Sequence, residues 1–168
     1  MDFHPLFIHF PIALLTVYSF LEMIRYFAAG KRWVHTRAVL VITGVLGAFM
    51  SLATGENAEH LFEKTELHSV LEMHSLLANI TTWIYAVLAV AYLITWLEKV
   101  LLESWPQILK KSRSAFMPIA STVTGPLVAP MLAALGLLCL LMVGALGGIL
   151  VYGPDADPIT SLIYRWVF

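Results

Sequence analysis

Apolar residues fall into long blocks along this chain, separated by short stretches that carry most of the charge. Uncharged or nearly uncharged blocks cover residues 6–28, 34–54, 70–97 and 130–152. Each is long enough for the roughly 20 residues a helix needs to cross a bilayer. The uncharged stretch 114–154 is too long for one span. Pro118, Pro126 and Pro130 interrupt its first part, and proline suits the first turn of a helix better than its interior. The fourth span is therefore expected to start near Pro130 and end near Tyr152, with 114–129 as an interfacial or re-entrant segment. Gly55 is expected to end the second helix. Residues 57–68 read as a short, acidic, amphipathic helix, with Ala58, Leu61, Phe62 and Thr65 on its less polar face. The pattern predicts an all-α polytopic membrane protein, a bundle of four transmembrane helices forming one domain over residues 1–168.

Composition strengthens that reading. The chain is 60% hydrophobic and 12% charged, with a mean hydropathy of +0.82. A soluble domain is nearer half apolar and a quarter charged. A net charge of −1 argues against nucleic acid as a partner. Eight of the ten basic residues flank two loops: Arg25, Lys31, Arg32 and Arg37, then Lys99, Lys110, Lys111 and Arg113. Only Lys64 and Arg165 lie on the other side. The positive-inside rule then makes those loops cytoplasmic and both termini periplasmic, in a bacterial inner membrane. The start is acidic and shows no basic n-region of a signal peptide. Trp33, Trp83, Trp96, Trp105 and Trp166 mostly fall where an aromatic belt would lie.

Orientation groups the histidines. His4, His9, His60, His68 and His74 fall on the expected outer side, and His35 alone on the inner one. His9 follows His4 by five residues and His74 follows His68 by six, so in parallel helices His9 is expected about 7 Å deeper than His4 and His74 about 9 Å deeper than His68. His9 and His74 are thus expected at similar depth, about two turns in. Gly144, Gly147 and Gly148 return at that level and permit close approach by a helix or a flat ligand. The blander alternative has each imidazole bonding a backbone carbonyl or hydroxyl between helices. Asn79, Thr81 and Thr82 read as interhelical contacts, and Gly44, Gly47, Ala48 and Ser51 as a packing face. Glu72 anchors a helix end or bonds a histidine across the bundle.

Other chemistries are missing from the pattern. The single cysteine, Cys139, excludes an intramolecular disulfide and a multi-cysteine metal site, and no C-x-x-C-H haem attachment motif occurs. No Walker loop, dinucleotide fingerprint, G-x-S-x-G elbow or H-E-x-x-H motif is found. No nucleophile with a base is apparent, so the chain is not expected to be an enzyme on its own.

Four segments, "HPLFIHFPIALL", "TGENAE", "LEMHSLLAN" and "LGGILVY", together resemble the bacterial membrane-protein family called domain of unknown function 2231. The resemblance covers almost the whole chain, and the opening motif is its most specific part. The family pattern falls on His4, Pro5, His9, Phe10 and Pro11, on Thr54, Gly55 and Ala58, on His74, and on Gly147, Gly148, Val151 and Tyr152. It implies four membrane helices and no settled activity. The chain departs from it at "GPDADP", where a glycine-rich tail is expected, and in its long third loop.

The leading expectation is an outward-facing site for haem b or another redox centre. Facing bundle helices can give two neutral imidazoles to one iron, here His9 and His74, with Gly147 and Gly148 admitting the porphyrin face. Such a protein would carry electrons beside other membrane or periplasmic redox subunits, in contact with the lipid bilayer. The outer side is poor in arginine and lysine to pair haem propionates. Two alternatives stand beside it: a non-catalytic scaffold or accessory subunit with structural histidines, and a metal site using His4, His9, His74 and Glu72.

Overall fold

A computed structural model of the protein describes residues 4–25, 33–59, 67–101, 107–155 and 157–168. These residues form six helices: α1 (His4–Ile24), α2 (Val34–Glu59), α3 (His68–Leu101), α4 (Gln107–Val123), α5 (Val128–Tyr152) and α6 (Pro158–Val167). The expected all-α class holds. Three helical stretches are long and apolar enough to cross a membrane: Val34–Gly55, His68–Glu98 and Val128–Tyr152. The apolar part of α1, Ile8–Ile24, is shorter.

Helices α1, α2, α3 and α5 pack in a ring, each against two neighbours: α1 on α2, α2 on α3, α3 on α5 and α5 on α1. Side-chain register gives their directions. A Cβ on Gly44 would meet Leu15, and one on Gly47 would meet the ring of Pro11, so α2 runs antiparallel to α1. Gly136 faces Tyr85 and Gly147 faces His74, so α5 runs antiparallel to α3. Ser19 pairs with Tyr85 and Glu22 with Tyr92, so α1 and α3 run in the same direction. One end of the bundle therefore carries the starts of α1 and α3, with their histidines. The other end carries Glu22, Arg25 and Arg37.

Small residues let the helices approach closely, as lipid-embedded packing demands. Gly44 and Gly47 form the packing face expected of α2, filled by Leu15 and Pro11. Three buried tyrosines occupy the centre: Tyr18 meets Tyr85 and Tyr92 edge-on, at ring centroid distances of 6.1 and 6.0 Å. Leu15, Val41, Leu88, Ala129 and Ala133 surround them. Outward positions such as Phe20, Leu46, Val87 and Leu138 are exposed and apolar, the arrangement that suits a lipid solvent.

Several boundaries differ from the sequence reading. Gly55 does not end α2, which continues to Glu59. Among the described residues, the one glycine with positive φ is Gly153, at 87°, where its N–H caps α5 on the Ile149 carbonyl. Of the expected amphipathic helix at 57–68, residues 57–59 belong to α2, while 60–66 lie outside the described residues. Pro118 does not break its segment: α4 passes through it, amphipathic and packed on α3 and α5. Residues 114–123 are thus helix, and only the turn 124–127 separates α4 from α5. The fourth apolar block starts at Val128, two residues before Pro130, which falls in the first turn of α5 where proline is tolerated. Thr81, Thr82 and Asn79 bond carbonyls four residues back in α3 itself rather than another helix. The hydrophobic blocks do not predict α6, a ten-residue helix beyond the last of them.

Candidate functional site

The most concentrated polar chemistry inside the bundle lies at the end opposite the histidines. Glu22, on the last turn of α1, is fully buried. Its Oε2 accepts a hydrogen bond of 2.7 Å from the Tyr92 hydroxyl of α3. The same oxygen lies 3.5 Å from Arg37 of α2, itself only 4% exposed. Its Oε1 accepts from Arg25, one helical turn on, at 2.5 Å. Arg25 also donates to the Thr124 carbonyl in the turn between α4 and α5, at 2.9 Å. One carboxylate thus links α1, α2, α3 and the entry to α5. Tyr18, next to Tyr92, presents a buried hydroxyl with no hydrogen-bond partner among the described residues, as does Nε of Arg37. Further into the bundle, the Ser19 and Tyr85 hydroxyls are 2.7 Å apart. Charges taken out of lipid or water in this way persist when paired and hydrogen-bonded.

The sequence carried a signal for this cluster: an acid within an apolar run, with an arginine three residues later on the same helical face. The count of charge by loops instead places Arg25 and Arg37 with the first loop. Arg37 is the fourth residue of α2 and points inward.

At the histidine end, His74 is half-buried between α3 and α5. Its Nδ1 lies 3.1 Å from the Val143 carbonyl. A carbonyl can only accept, so a neutral ring at this site carries its proton on Nδ1. Its Cε1 would stand 3.3 Å from a Cβ on Gly147, and Thr160 of α6 lies 3.6 Å from one on Gly148. The two glycines expected to face a porphyrin are thus faced by a histidine and a threonine of this chain. His9 is exposed, on the outward stripe of α1 that also carries Ala13, Val17, Phe20 and Ile24. The Ser19–Tyr85 and Glu22–Tyr92 pairings span 66 and 70 positions, registers that set His9 level with residues 75–79 of α3. His9 and His74 thus sit at the same end of the bundle, but His9 is exposed while His74 is turned toward α5. His68 and Glu72 pair at 3.4 Å on the exposed side of α3. The side chain of His4 lies outside the described residues. Among the described residues no three His, Cys, Asp or Glu side chains are grouped to hold a metal ion. His35 accepts a hydrogen bond from the Trp96 indole at 3.0 Å, near the arginine end.

Outside the spans, Asp157 starts α6. Its carboxylate accepts from the N–H groups of Thr160 and Ile159, and the Asp157 N–H donates to the Thr160 hydroxyl. The Thr160 bond foremost holds the Asp157 carboxyl below its ordinary 3.8.

No curated protein and no solved structure matches the chain. Residues 1–155, which hold α1 to α5 and both polar centres, match the family described as "Predicted membrane protein (DUF2231)", and the chain belongs to that family.

Proposed function

We propose that this is a four-span subunit of the bacterial cytoplasmic membrane, both termini periplasmic, serving as a non-catalytic scaffold or accessory subunit. One observation carries the reading: ionisable groups within the bundle engage its own helices. Glu22 joins α1 to α2 and α3, and His74 joins α3 to the Val143 carbonyl of α5. Such joints are how polar side chains hold membrane bundles together. Basic residues at the ends of α1 and α3 and the starts of α2 and α4 support the cytoplasmic assignment of that end. Although α1 is the shortest apolar stretch, its 21 helical residues rise about 31 Å, enough for the hydrocarbon core.

A second reading, haem b or another redox centre held by His9 and His74, is favoured by the His74 ring. With Nδ1–H on a carbonyl, Nε2 carries the lone pair, the state a metal-ligating imidazole adopts. Against it stand the exposure of His9 and the side chains already facing Gly147 and Gly148. Haem would supply one-electron chemistry; the residues of this chain would hold it and exclude water.

A reduced-minus-oxidised spectrum of protein purified from haem-replete cells separates the two. The scaffold reading expects no alpha band. A sharp band that His74→Ala abolishes and His35→Ala leaves intact would replace it with the haem reading.

A further inference from the structure

Helix α6 lies beyond the part of the chain that matches the family. Its ten residues rise about 15 Å, too little to cross a bilayer. It packs against α5 near residues 146–149 rather than leading away. Thr160 sits over Gly148, and Tyr164 packs on the cluster of Val70, Leu146 and Ile149. The hydroxyl of Ser161 donates to the Pro154 carbonyl at 3.1 Å. These contacts use one side of α6. Ile159, Leu162 and Trp166, spaced three and four residues apart, form another face and are 68%, 69% and 81% exposed.

The depth of that face follows from α5. Its 25 residues rise about 37 Å, against a hydrocarbon core of about 30 Å. Gly148, four residues before the end of α5, therefore lies near the boundary between acyl chains and headgroups. Helix α6 touches α5 at that level. Val151 and Tyr152, at the end of α5, are likewise apolar and exposed. Tryptophan favours this boundary, and short amphipathic helices lie in its plane. The neighbouring charges, Asp155, Asp157 and Arg165, form no cationic face that would bind anionic headgroups.

We propose that α6 is an interfacial anchor, with Ile159, Leu162 and Trp166 embedded in lipid at the headgroup boundary. Its opposite side holds Thr160 and Tyr164 over the histidine end of α3 and α5. The occupant of the apolar face is lipid, recognised by its acyl chains.

The test places a spin label at Leu162→Cys, and separately at Arg165→Cys, in the full chain with Cys139→Ala, in phosphatidylcholine nanodiscs. Power saturation compares collisions with oxygen, which concentrates in lipid, and with a water-soluble nickel chelate. Expected is oxygen dominance at 162 and nickel dominance at 165. The depth at 162 should not change when a quarter of the lipid is phosphatidylglycerol. Nickel access at 162 would mean water covers this face, and access to neither would mean a second copy or another protein does. Either result overturns the proposal, as would a label that becomes lipid-exposed only with anionic lipid. Ile159→Cys gives the same readout one turn earlier should the label at 162 disturb folding.

Discussion

Replacing Glu22 by glutamine removes one negative charge and little volume. Glutamine keeps an oxygen for the Tyr92 hydroxyl, so the loss falls on the charge balance. Two guanidinium groups then remain without their carboxylate. Arg25 is a quarter exposed and reaches water, so its share is small, within the 0–1 kcal/mol of exposed pairs. Arg37 is 4% exposed and cannot follow. Stranding one member of a buried pair costs about 3–5 kcal/mol. The expected loss for Glu22→Gln is about 3 kcal/mol, at the low end because Glu22 and Arg37 stand 3.5 Å apart. Arg37→Met removes the stranded cation and replaces it with an apolar chain, and Glu22 then retains Arg25 and Tyr92. The double variant should therefore be about 2 kcal/mol more stable than the sum of the single losses predicts, within the coupling range of contacting residues. Reversible unfolding of bicelle-embedded protein by steric trapping measures all four corners of this cycle. Additivity within about 0.5 kcal/mol would refute the claim that Glu22 exists to balance Arg37.

Gly136→Ala should destabilise by about 1–3 kcal/mol in the same assay, because its Cβ would stand 2.8 Å from the Tyr85 ring, while Gly144→Ala, with nothing within 4 Å, should change little. His74→Ala should cost about 0.6 kcal/mol, the average for an interhelical hydrogen bond; a loss of several kcal/mol would mean that the ring does more than join α3 to α5. Asp157 has a lowered folded pKa, so its stabilisation of α6 is fully present above 3.8 and is lost as pH falls through the lower folded value. Hydrogen exchange of α6 should therefore be steady from neutral pH down to about 4, after correction for intrinsic rates, and rise below it; Asp157→Asn keeps the cap and should abolish that rise. A reporter fused after Phe168 should be active as alkaline phosphatase and dark as a cytoplasmic fluorescent protein, and the reverse pattern would overturn the assigned orientation.

The elements legible in the sequence are those for which lipid allows one solution. A long uncharged run in a membrane must satisfy its own backbone, so α2, α3 and α5 could be placed within a few residues. The end of the bundle was legible too: His9 and His74 lie near the starts of two helices that run in the same direction. The direction in which a side chain points was not. In a soluble helix the apolar stripe marks the inward face. Here the first half of α1 is largely apolar, and nothing in "HPLFIHFPIALL" says that Pro11 and Leu15 turn inward while His9 turns outward. The inward face is instead marked by the rare polar residues, because a polar group in lipid needs a protein partner. Ser19 and Glu22 mark it on α1, Arg37 on α2 and Tyr92 on α3. That rule reads Glu22 and Arg37 as partners across α1 and α2. It also sets His9 apart as an ionisable residue outside the joints that close this bundle. Helix α6 was legible by another route, from Asp157 at the cap, Pro158 in the first turn and Thr160 completing the reciprocal bond. Its ten residues are too few for a span, and lying along the membrane surface requires only one apolar face.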